Sequence, residues 1–266
     1  MESALKQGVE QSLQGSAQTI AAALDGREAL LYRESPVGSQ PDRGAPIFAH
    51  RLPGRPTLDG YRDDWGLATT PPLPLADDPK SSVPDGEAQY WAGVRDRYLY
   101  LYLEVVDANI EYSTPAKTGD HLSITDNRGR RLGFATAAPG PLGAAVMSGA
   151  TFTGQREQRI AAFWRELPSG YALEIQAPLN AIGERLNLQV SDANTGTIAA
   201  TASQAADTGP LIYPQFKLNE ALRPFAQDGL RIRIVDLHGW LLANQGGVTN
   251  EEGNTLTGGL LSTLYG

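Results

Sequence analysis

Two tryptophans that each have an arginine close by carry the clearest chemistry in this chain: Trp91 with Arg95, and Trp164 with Arg165 beside it. An indole face stacks on the axial C–H groups of a pyranose while polar neighbours meet the hydroxyls. These four residues form the candidate ligand-binding set. The competing expectation is that both indoles are core residues, each N–H held by a backbone carbonyl. Trp240 is expected to pack against a short helix at Phe216 to Ala226.

Asp59, Asp107, Asp120 and Asp192 could offer oxygens to calcium, a hard cation that wants six or more such ligands. There is no EF-hand pattern or dense acidic loop, so the same residues also read as turn and cap aspartates that bond their own backbone. Structural calcium is therefore the one cofactor the sequence leaves open. The chain has no cysteine, which removes disulfides, thiolate metal sites and a cysteine nucleophile. Its histidines, His50, His121 and His238, lie far apart and form neither HxxxH nor HExxH.

No catalytic residue is expected. Glu104 and Asp107 have the residue types of a glycosidase pair, but residues three apart on one strand point to opposite faces. Gly-x-Ser-x-Gly, the P-loop and the dinucleotide fingerprint are all missing. Gly140 to Gly149 is rich in small residues without the lysine and serine that phosphate chemistry needs. A net charge of −8 makes nucleic acid an unsuitable partner, and no lysine-rich block suits an anionic lipid surface.

The elements that must position these groups are mostly strands. The chain has 266 residues, with Gly 29 and Pro 18 spread along it, which favours many turns. Residues 3–24 read as a helix with one stripe at Leu5, Val9, Leu13, Ala17, Ile20 and Leu24, stopped at Asp25-Gly26. A further turn at Arg27 to Tyr32 and a linker at 33–46 follow. Tyr90 to Val106 is a hairpin broken at Asp96-Arg97, its second strand alternating leucine and valine against tyrosine and Glu104. Further strands are expected at His121–Thr125, Arg131–Thr136, Ile160–Glu166, Tyr171–Pro178 and Leu186–Ser191, and a helical turn at Ala177 to Ile182. Ser203 to Pro214 reads as a loop. A short helix bent near Pro224 then precedes a hairpin, with Leu230, Ile232 and Ile234 on one strand and Trp240 to Ala243 on the other. The fold class is mainly β, an antiparallel β-sandwich, divided as 1–46 (helix and linker), 47–202 (sandwich) and 203–266 (small α/β element).

Three segments together resemble the family 9 carbohydrate-binding modules and their DOMON-like relatives. They are Leu58-Asp59-Gly60 with Asp64-Trp65, then Asp96 to Asp107 with Gly119-Asp120, and Gly170-Tyr171 through Glu174 to Pro178-Leu179. The resemblance covers roughly residues 50–200. It implies a carbohydrate ligand, a structural calcium in some members, and a Trp65 that packs under the sheet. The flanks resemble the extracytoplasmic part of bacterial membrane-bound histidine kinases, in particular those of proteobacterial dedicated sortase systems. Here the matching motif runs from Arg231 to Ala243. That resemblance implies a periplasmic ligand sensor of a two-component system, anchored in the inner membrane, homodimeric in the full-length receptor, with its kinase outside this chain. A module of a secreted hydrolase and a protein-interaction domain without small ligand remain open. No run of 18 apolar residues occurs, and Met1-Glu2 opens no signal peptide. The chain is accordingly read as a segment cut from a longer protein, with a complete cytosolic protein as the alternative.

Overall fold

The computed structural model describes residues 2–27, 30, 44–67, 70–77, 88–202, 204, 206–214, 216–227, 229–235 and 241–247. Contacts divide the chain into two compact units. One joins residues 1–35 to 215–266, and the other spans 36–214. This differs from the division expected at 46/47 and 202/203. Residues 209–212 form a strand inside the sandwich, and the two ends of the chain share one unit.

The larger unit is a mainly β, antiparallel sandwich. Its strands are β1 (Ile47–Phe48), β2 (His50–Arg51), β3 (Leu73–Pro74), β4 (Ala76–Asp77), β5 (Ala88–Arg95), β6 (Tyr98–Val106), β7 (His121–Asp126), β8 (Arg131–Ala135), β9 (Gly140–Ser148) and β10 (Thr151–Leu167). These are followed by β11 (Gly170–Pro178), β12 (Arg185–Asp192), β13 (Gly196–Ala200) and β14 (Gly209–Ile212). They form one continuous hydrogen-bonded path, β1-β14-β12-β7-β8-β9-β10-β11-β6-β5-β2. The layer β5-β6-β11-β10 continues into β9-β8-β7-β12 through the long hairpin of β9 and β10. Register shifts at Phe152/Arg156 and Glu157/Ala161 bend β10 there. Neighbouring short strands also pair on opposite sides of the path: β3 with β5 and β4 with β13, β1 with β14 and β2 with β5.

The β5–β6 hairpin turns at Asp96, whose φ of 57 is left-handed, a conformation aspartate tolerates because its short side chain bonds locally. Register then fixes the two faces of the first layer. Ala92, Leu101, Ile175 and Ala162 lie in one row, and Tyr90, Leu103, Leu173 and Trp164 in another on the same face. All are buried. Trp91, Tyr102, Glu174 and Phe163 form a row on the opposite face. That second face is not wet either. Leu52, Trp65 and Leu67 from the segment before β3 pack on Trp91, Tyr100, Tyr102 and Ala172. The tyrosines thus contribute to a second apolar layer, and Trp65 meets both Tyr100 and Tyr102 edge-on with centroids 6.2 Å apart. In the other layer Leu122, Ile124, Leu132, Phe134, Leu188 and Val190 are buried on one face, while His121, Ser123, Arg131, Gly133 and Gln189 alternate with them.

The helical turn after β11 forms as expected at Leu179–Ile182 (α2). The smaller unit holds the N-terminal helix α1 (Glu2–Leu24), the short helix α3 (Phe216–Leu222), a 3-10 turn at Arg223–Phe225 carrying Pro224, and the hairpin β15 (Ile232–Val235) with β16 (Leu241–Gln245). Along α1 the expected stripe is covered only towards its end: Leu24 is buried, but Val9 and Leu13 are about half exposed, at 58% and 49%. Among the described residues no helix is long and apolar enough to cross a membrane. The second turn at 27–32 lies, apart from Arg27 and Leu30, outside the described residues. Trp240 and residues 248–266 lie outside them, as does the linker before Gly44.

Candidate functional site

The loop carrying Leu58-Asp59-Gly60 is strapped over the first layer by one carboxylate. Glu174 on β11 accepts from the Trp65 indole N–H at 3.0 Å and from the backbone N–H groups of Asp59 at 3.0 Å and Gly60 at 2.9 Å. Glu174 is fully buried, and this burial raises its carboxyl to about 6, although the three donors pull the other way. This group organises the fold and has no open side for a ligand.

The four sequence candidates fall on this same layer but not together. Trp91 and Trp164 occupy opposite faces of it, so they cannot clamp one ring between them. Both are buried, at 6% and 1% exposure, so neither indole offers a face to solvent. Trp91 donates to Thr70 O at 2.9 Å, and the Arg62 guanidinium lies 4.0 Å from its ring centroid. Trp164 stacks on Tyr171 at 4.0 Å, and among the described residues its N–H has no partner. Arg95 is tied to the carbonyls of Leu52 and Pro53 at 3.1 and 2.9 Å. Arg165 donates to Gly60 O at 2.7 Å and covers the Tyr61 ring at 3.9 Å. The pairing of an indole with a nearby arginine that singled out these residues does not report exposure, and here both indoles are covered.

Of the four aspartates considered for calcium, three converge. Oxygens of Asp107, Asp120 and Asp192 lie within 4.8 Å of one another, whereas Asp59 belongs to the Glu174 strap and accepts from Tyr61 N–H at 3.0 Å. Asp120 is nearly fully buried. Desolvation, together with Asp107 nearby, raises its carboxyl to about 6, while backbone N–H donors at Glu111 and Ala193 partly offset this. Asp107 accepts from Asn109 N–H at 2.8 Å, and Asp192 accepts from the N–H groups of Asn194 and Thr195 at 2.7 Å. These are the turn bonds expected of aspartates in loops, yet three hard carboxylates meeting at the ends of β6, β7 and β12 also suit a cation such as calcium in type.

An open cavity lies on the outer face of the other layer. It has a volume of about 600 Å³, within the ordinary range for small-ligand sites. Ala135, Gly143 and Ala145 make a floor of small residues, and the loop of Ser113 to Thr118 forms one rim. Phe152 supplies the aromatic wall. Its ring also meets His121 edge-on at 5.6 Å and stands over Gly133, where a Cβ would fall 2.6 Å from it. Side-chain hydroxyls of Ser113, Thr114, Thr118, Thr136 and Thr151 line the space, with Lys117 and Arg156 as the cations. Lys117 bonds Glu111 and Asn194. Sequence reasoning missed this site. Its residues come from four segments, and β9 was read as a small-residue stretch, so the only signal was the lone aromatic Phe152 in a polar run.

No protein-family model matches the chain, and no curated protein matches it. Among solved structures, two of a family 9 carbohydrate-binding module from Caldicellulosiruptor kristjanssonii are similar to it, one in complex with cellotriose and one with glucose. Each is 17% identical and covers 63% of this chain; they cover 93% and 95% of their own chains, with TM-scores of 0.44 and 0.43.

Proposed function

We propose that the sandwich binds a carbohydrate or a related cell-envelope ligand in the cleft beside Phe152, and that the chain is the periplasmic ligand-sensing segment of a two-component sensor histidine kinase. The observation that carries the binding reading is the cleft itself. An aromatic wall, a floor without bulk and a ring of hydroxyls are what a pyranose needs: apolar contact on one side and hydrogen bonds around the rim. The sensing reading is supported by the path of the chain, because the segments before and after the sandwich share one compact unit. A ligand would then shift that unit only by its differential affinity for two states. The parent would be anchored in the inner membrane, act as a dimer, and carry its kinase in the cytoplasm.

A glycan array followed by calorimetric titration tests the binding half, with Phe152→Ala as the control. Binding that the variant abolishes supports it, and a protein that retains no saccharide at millimolar concentration removes it. The sensing half is tested on the parent gene, where membrane helices should flank this segment and a kinase domain should follow. A hydrolase domain in that place would favour the second reading, a carbohydrate-binding module of a secreted enzyme, which the same cleft would serve.

A further inference from the structure

Cations line the cleft, and no carboxylate does: Lys117 and Arg156 are the only charged side chains among its lining residues. This runs against the chain as a whole, whose 30 acidic residues outnumber 22 basic ones. The two cations differ in what they are free to do. Lys117 is paired with Glu111, and on the neighbouring stretch of β10 both Arg130 and Arg159 are paired with Glu157. Arg156 is exposed, and among the described residues it has no hydrogen bond or ion pair. It stands opposite Ala145 in the register of β9 and β10, so it shares a face with the small-residue floor and with Phe152. The register shifts on either side of it, before Arg156 and after Glu157, set this strand segment apart from a regular ladder and aim its side chains anew.

We propose that the cleft selects a saccharide bearing an anion, a uronate carboxylate or a sulfate ester, with the pyranose against Phe152 and the anion on the Arg156 guanidinium. This rests on the carbohydrate reading of the same cleft and names the class of sugar. A guanidinium is suited to either anion because its planar fork gives two parallel N–H···O bonds to it. In a protein of net charge −8 an anionic ligand meets general repulsion, so a cleft without carboxylates and with one uncommitted arginine gives local selectivity that the overall charge would oppose.

Calorimetric titration of the chain with trigalacturonate, a sulfated galactan trisaccharide and cellotriose, at low and high salt, tests this. At least one acidic trisaccharide is expected to bind better than cellotriose, and its affinity should fall with salt. Arg156→Gln should lower that affinity roughly ten- to a hundredfold, towards the cellotriose level, while leaving the melting temperature unchanged. Arg156→Lys should recover part of the loss, since it keeps the charge without the fork. Equal affinity for cellotriose and both acidic sugars, or an Arg156→Gln variant that binds them all as before, overturns the charge assignment. If Phe152→Ala still abolishes binding in that case, the carbohydrate reading survives. If no saccharide binds at all, both fall. Acidic binding that neither variant changes places the site elsewhere and overturns the proposal too.

Discussion

The indole N–H of Trp65 donates to the Glu174 carboxylate at 3.0 Å, across 109 residues of sequence. This bond joins the first and the third of the segments that carried the sequence resemblance. It holds the loop before β3 against β11 and so closes the tyrosine face of the first layer. Neither partner is replaceable by a residue of similar size alone. The carboxylate needs its three donors, and the indole fills the space over Tyr100 and Tyr102. Trp65→Ala should therefore destabilise the fold by about 3–5 kcal/mol, the range for deleting a large buried aromatic. Trp65→Phe should cost less, about 1–2 kcal/mol, mainly by removing one donor from a buried carboxylate. Equilibrium urea unfolding measures both, and a Trp65→Ala protein as stable as the wild type would contradict the strap.

The same carboxylate predicts a pH dependence. Its folded value of about 6 lies above the 4.5 of a free glutamate, so the folded state holds this proton more tightly than the unfolded chain does. The contribution of Glu174 to stability is thus greatest below pH 4.5 and declines as pH rises through about 6. The difference amounts to about 2 kcal/mol. Other carboxylates oppose it: Glu157, held down to about 2 by Arg159, favours the folded state above pH 4.5. The measurement is therefore a difference between wild type and Glu174→Gln across pH 4.5–7.5. Parallel stability curves would show that Glu174 does not titrate in this range.

Much of this fold was legible in the sequence, and the reasons are local. Strict alternation from Tyr98 to Val105 gave a strand, Asp96-Arg97 gave its turn, and the stripe of α1 gave a helix. The strand β9 was not legible, because Gly140 to Ser148 has no alternation and few strand-forming residues; its geometry comes from pairing with β8 and β10. Strand β14 hid in a loop-like stretch, Ser203 to Pro214, for the same reason. The candidate site failed on exposure. Trp164 sits on the buried face of β10 and Trp91 on a face of β5 that Leu52, Trp65 and Leu67 cover, and alternation tells one face from the other without telling which is wet. Phe152 and Arg156 lie in a polar run with no period, and the cleft they share exists only once four segments are placed.

The two tryptophans should respond unequally to the same change. In Trp91→Phe the carbonyl of Thr70 loses its donor, whereas in Trp164→Phe a buried N–H without a partner is removed. Both variants lose some apolar area, but only the second also relieves a desolvation cost. Trp91→Phe is expected to be the more destabilising by about 1 kcal/mol in urea unfolding. Equal losses would imply that the Trp164 indole is hydrogen-bonded after all.

Calcium is a direct test of the aspartate cluster. Three carboxylates within 4.8 Å repel one another, and a cation between them would remove that repulsion and link the ends of β6, β7 and β12. Millimolar calcium should then raise the melting temperature by several degrees, as binding to the folded state alone requires. Asp192→Asn should abolish the gain. A melting temperature indifferent to calcium and to chelator would leave the three aspartates as turn residues.

Two glycines under the cleft separate its shape from the stability of the fold. Gly133 lies beneath Phe152, and a Cβ there would come within 2.5 Å of Met147 Sδ and 2.6 Å of the Phe152 ring. Both neighbours are side chains, so they must move while the backbone stays. The methionine can repack because its chain is flexible and unbranched, whereas the phenyl ring already meets His121 at 5.6 Å and lines the cleft. Gly133→Ala should cost about 1–3 kcal/mol, as overpacking usually does, and weaken any ligand that stacks on Phe152. Gly143 is different. It lies on the floor of the cleft, and the nearest atom to a Cβ there is the carbonyl of Ile160, 3.8 Å away. Gly143→Ala should therefore leave the melting temperature close to wild type while raising the floor by one methyl group. Loss of saccharide affinity in Gly143→Ala without loss of stability would place the ligand in this cleft. Unchanged affinity in both variants would place it on another surface of the sandwich.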